Sequence, residues 1–83
     1  MFYNSTMTTI DEGLLWFDDR QNIPLATKIA AAVDFFEEKY GRKPQCCYVN
    51  PCNSLEGLPL QELGLRVEVS SYILPNHYLL EQN

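Results

Sequence analysis

The stretch Pro24-Leu25-Ala26-Thr27-Lys28-Ile29-Ala30-Ala31-Ala32-Val33-Asp34-Phe35-Phe36-Glu37-Glu38-Lys39-Tyr40, followed by Gly41 and Pro44, decides the fold. Leu25, Ile29, Ala32, Val33, Phe36 and Tyr40 recur at spacings of three and four, which puts them on one stripe of an amphipathic helix. Thr27, Asp34, Glu37 and Glu38 fall opposite and are expected to face water, with Phe35 at the edge of the stripe beside Lys28 and Lys39. At the start, either Asn22 caps the free backbone donors, or Ile23 takes that position with Pro24 as the first helical residue. At the end, Gly41 suits a left-handed terminal residue and Pro44 prevents continuation. Lys39, Arg42 and Lys43 complement the helix dipole there, so this basic cluster needs no ligand to explain it.

Working outward, Gly13-Leu14-Leu15-Trp16-Phe17 precedes the helix and Gln45-Cys46-Cys47-Tyr48-Val49-Asn50 follows it. Both runs are apolar on both alternating faces, as in strands covered on two sides. A strand, helix and strand in this order normally form a right-handed crossover between parallel strands. Pro51 to Gly64 connects onward, with a short helical turn over Leu58 to Leu63 stopped by Gly64. Leu65 to Ser70 alternates strictly and predicts a third strand with one wet face; Ser71 to Asn76 turns the chain, and His77-Tyr78-Leu79-Leu80 is a short fourth strand. The predicted fold is a small α+β sandwich, β-α-β-(short helical turn)-β-β, with a mixed sheet of about four strands and one main helix on one face. Residues 1–12 are expected as a loosely ordered tail before a single domain over residues 13–83.

One helix shields one face of such a sheet, which leaves apolar residues of the first two strands in need of cover. The short turn near Pro59 or a second copy of the chain could supply it. Uncovered apolar patches mark interfaces, so a homo-oligomer or another protein partner is expected, with Trp16, Tyr48, Tyr72 and Tyr78 as interface candidates.

Composition narrows the function classes. With 83 residues there is room for one domain, and a hydrophobic fraction of 46% is that of a folding chain. The net charge of -5, from 11 acidic and 6 basic side chains, disfavours binding to a phosphate backbone, and no nucleic-acid partner is expected. Met1 to Gly13 contains no Lys or Arg and no apolar run of signal-peptide length, and no segment reaches membrane-spanning length. Three cysteines, two of them adjacent, make a disulfide framework a poor reading and suggest reduced thiols in a cytoplasmic protein.

Candidate chemistry gathers at one place. Asp18, Asp19, Asn50 and Cys52 end the first two strands, and His77 follows the third. If the third strand runs parallel to the others, His77 arrives at the same carboxyl edge, where open α/β sheets bind ligands; if antiparallel, it lies at the opposite edge. Cys46, Cys47, Cys52 and His77 are zinc-type atoms, but adjacent strand residues point to opposite faces and cannot easily serve one ion. Asp18-Asp19 also suits a solvated turn before a helix. No phosphate loop, nucleophile elbow or metalloprotease motif is present. No catalytic residue, metal centre or cofactor is therefore assigned. The preferred function is a non-enzymatic interaction or assembly module that self-associates; the alternative is a small-ligand or metal-binding domain, an enzyme included, with Asp18, Asp19, Asn50, Cys52 and His77 as its site at the sheet edge.

The segments Gly13-Leu14-Leu15-Trp16-Phe17-Asp18, Lys39-Tyr40-Gly41-Arg42-Lys43-Pro44, Cys47-Tyr48-Val49-Asn50-Pro51 and Leu74-Pro75-Asn76-His77-Tyr78 resemble short uncharacterised bacterial reading frames. That resemblance implies a small stand-alone bacterial or mobile-element-associated protein, and it brings no catalytic residues with it.

Overall fold

In the computed structural model, which describes residues 7–10 as backbone and residues 13–82 in full, the apolar stripe is the inner face of helix α1, Leu25–Tyr40. Ile29, Ala32, Val33 and Phe36 are buried, and Leu25 and Tyr40 pack half-buried at the two ends. The start differs from both expectations. Pro24 itself is the cap, in extended backbone at φ -60 and ψ 148, and its carbonyl accepts from the N–H groups of Thr27 and Lys28 at 3.0 and 3.2 Å. Asn22 lies in the preceding turn at φ 63, too early to reach the helix donors. The end is as expected: Gly41 adopts φ 75, and its N–H donates to the Glu37 carbonyl at 2.8 Å. A Cβ placed at Gly41 would meet nothing within 4 Å, so the backbone angle alone selects glycine.

Among the described residues the sheet has five strands: β1 Met7–Ile10, β2 Gly13–Phe17, β3 Cys46–Val49, β4 Arg66–Val69 and β5 His77–Glu81, in the order β1-β2-β5-β3-β4. Only β3 and β4 pair in parallel; the other three pairs are antiparallel. Four of these strands are those read from the sequence. The fifth, β1, replaces part of the expected loose tail: Thr8 and Thr9 are polar but β-branched, and β-branched residues suit a strand once a partner is beside them. The rest of that expectation, over residues 1–6, 11 and 12, lies outside the described residues. β2 and β3 point the same way, yet they do not touch, because β5 runs between them in the opposite direction.

Register decides which side chains meet α1. Leu14 lies opposite Leu80, Trp16 opposite Tyr78, Cys47 opposite both Leu80 and Val67, and Val49 opposite Tyr78. These residues form the core with the helix stripe and Leu65. Phe35 stacks on Trp16 with ring centroids 4.4 Å apart, and the Tyr40 hydroxyl donates to the Gly13 carbonyl at 2.9 Å, which ties the end of α1 to β2. The short helix α2, Leu60–Leu63, packs against α1, and Leu55, Leu58 and Leu63 press on the same core. The turn at Pro59 therefore thickens the covered side and leaves the opposite face of the sheet without it.

Candidate functional site at the carboxyl edge and open face of the sheet

Because β4 runs parallel to β3, the chain leaves both strands at one edge, and the loop before β5 stays there. The topology thus gathers Asp18, Asp19, Asn50, Cys52 and His77 at the carboxyl edge. His77 is the register partner of Phe17, and the Asp18 N–H donates to the Asn76 carbonyl at 2.9 Å.

Most of these polar groups hold the scaffold. Asp18 is buried, and its carboxylate accepts from Arg20 Nε at 3.0 Å and Nη2 at 2.8 Å and from the Arg20 backbone N–H at 3.1 Å. Burial raises the Asp18 carboxyl, but the Arg20 hydrogen bonds and the charges of Arg20 and Lys28 outweigh it and leave the group below its ordinary value of 3.8. Lys28, itself buried, donates from Nζ to the Asp18 carbonyl at 3.4 Å. Asn50 joins two loops: Nδ2 donates to the Ile73 carbonyl at 2.6 Å, and Oδ1 accepts from the Cys52 N–H at 2.8 Å. His77 Nδ1 lies 2.8 Å from the Pro75 carbonyl, which can only accept, so Nδ1 is the donor in this bond. The His77 ring lies against Phe17 at 5.0 Å. Asp19 and Cys52 are exposed. Among the described residues no group of three His, Cys, Asp or Glu side chains is placed to hold a metal ion.

The face opposite α1 carries the alternate residues of the same strands. These are Leu15 and Phe17 on β2, His77, Leu79 and Glu81 on β5, Cys46 and Tyr48 on β3, and Arg66 and Glu68 on β4. Leu15, Phe17, Tyr48 and Leu79 are half-buried, and among the described residues no helix lies over them. Cys46, opposite Arg66, is fully buried beneath its neighbours. Its hydrogen bond and then its charge push the Tyr48 phenol up, and the same charge raises the Arg66 guanidinium. On the covered side, burial and the charge of Cys46 push the Cys47 thiol up to about 12. Burial, with the charges of Asp18, Cys47 and Cys52, does the same for Tyr78, also to about 12.

The interface candidates separate accordingly. Tyr48 lies on the open face, and Tyr72 stands 94% exposed in the loop after β4. Trp16 and Tyr78 are corrected to core residues, 2% and 1% exposed beneath α1. A strand apolar on both faces does not reveal which set meets the helix: on β2 the larger Trp16 took the covered side, whereas on β3 the aromatic Tyr48 took the open one. Arg20 went unnoticed in sequence, although its spacing of two from Asp18 is that of a turn clamp. Leu15, Phe17 and Leu79 were findable as the alternates of the core set once the direction of burial is known.

No helix among the described residues is long and apolar enough to cross a membrane. Comparison with protein families, with curated proteins and with solved structures gives no match for this chain.

Proposed function

We propose that this protein is a non-enzymatic interaction module of the bacterial cytoplasm that self-associates through the sheet face opposite α1. The observation that carries this reading is the row of Leu15, Phe17, Tyr48 and Leu79 on a face that no described helix covers. Apolar surface gathered on one side of a small domain favours association, because joining two such surfaces removes both from water. The edge of the sheet is a poorer docking line: on β4, Arg66 and Glu68 are exposed and pair at 3.5 Å, and charged edge residues deter strand addition. The carboxyl-edge groups weigh against catalysis, since Asp18 and Asn50 are engaged by Arg20 and by the loop backbone.

Light scattering across a concentration series tests the reading. The mass should rise from the 9.6 kDa monomer toward twice that value, and Leu79→Asp should hold it at the monomer. A wild-type protein that stays monomeric up to millimolar concentration ends the proposal. The parallel direction of β4, which brings His77 beside Phe17, favours a second reading as a small-ligand or metal site. Metal analysis and zinc titration of the reduced protein test it, with His77→Ala as the control.

A further inference from the structure

We draw no further inference here: the strongest candidate, the exposed pair Tyr72 and Leu74 on the loop between β4 and β5, is a surface patch for which nothing in the structure shows what covers it.

Discussion

Asp18 and Arg20 form a clamp two residues apart: guanidinium Nη2 meets Oδ2 at 2.8 Å while the Arg20 backbone N–H meets Oδ1 at 3.1 Å. The carboxylate side chain is wholly buried and the arginine partly exposed, so the pair closes the end of β2 and opens the turn into α1. Losing charge-assisted bonds to a buried carboxylate costs about 1–3 kcal/mol, the loss expected for Asp18→Asn in chemical denaturation. The pH dependence has a definite sign. With its folded pKa below 3.8, Asp18 contributes its stability above that value, and the contribution is lost as pH falls through the folded pKa. The gap in stability between wild type and Asp18→Asn should therefore be full at neutral pH and close in acid.

On the opposite limb, where Cys47 contributes through the rise of its thiol from 9.0 to about 12, Tyr78 should add a share of its own. Its folded pKa of about 12 lies above the ordinary 10.0, so its share of stability is present below pH 10.0 and lost as pH rises toward about 12. Tyr78→Phe should flatten the alkaline decline in stability and remove a late phenolate from the absorbance titration.

The neighbours Phe35 and Phe36 should behave very differently. Phe36 is fully buried among α1 and the sheet, and truncation of such a ring costs about 3–5 kcal/mol. For a domain whose total stability is on the order of 4–12 kcal/mol, Phe36→Ala leaves a marginal fold or none. Phe35 is 36% exposed and stacks on Trp16, so Phe35→Ala should cost about 0.5–1.5 kcal/mol for the stacking beyond the area it buries, and less in total than Phe36→Ala. Thermal melts of the two variants check the contrast.

Thiol chemistry should be confined to one residue. Cys46 and Cys47 are buried and Cys52 is exposed, and burial keeps the Cys47 thiol protonated. Alkylation of the native reduced protein should modify Cys52 first, with the other two following only after denaturation, as read by intact mass.

Asn50 ties together two loops of the carboxyl edge. Replacing it with alanine removes a bond to each of two loops, at a cost of about 1–3 kcal/mol. Hydrogen exchange should quicken at the Cys52 amide, while the amides of the α1 interior keep their protection.

The body and the end of the helix were legible from sequence, though not its cap, because their determinants are local: the spacing of Leu25 to Tyr40 and the left-handed Gly41 act within a few residues of one another. The strand positions at residues 13–17, 46–49, 66–69 and 77–81 were legible for the same reason, from apolar runs and their turn boundaries. Other features were settled only when distant segments met. Insertion of β5 between β2 and β3, and the parallel pairing of β4, are choices of partner, and backbone hydrogen bonding is blind to which strand supplies them. Those choices put His77 beside Phe17 and brought Asn50 to the Ile73 carbonyl and the Asp18 N–H to the Asn76 carbonyl, whereas the Asp18–Arg20 clamp is local. They also sent Trp16 and Tyr78 to the core and left Leu15, Phe17, Tyr48 and Leu79 outside it. Sequence alone established one amphipathic helix on a small sheet. Tertiary structure decided which face of that sheet remains open, because a strand apolar on both sides gains similar burial either way, and only its partners distinguish them.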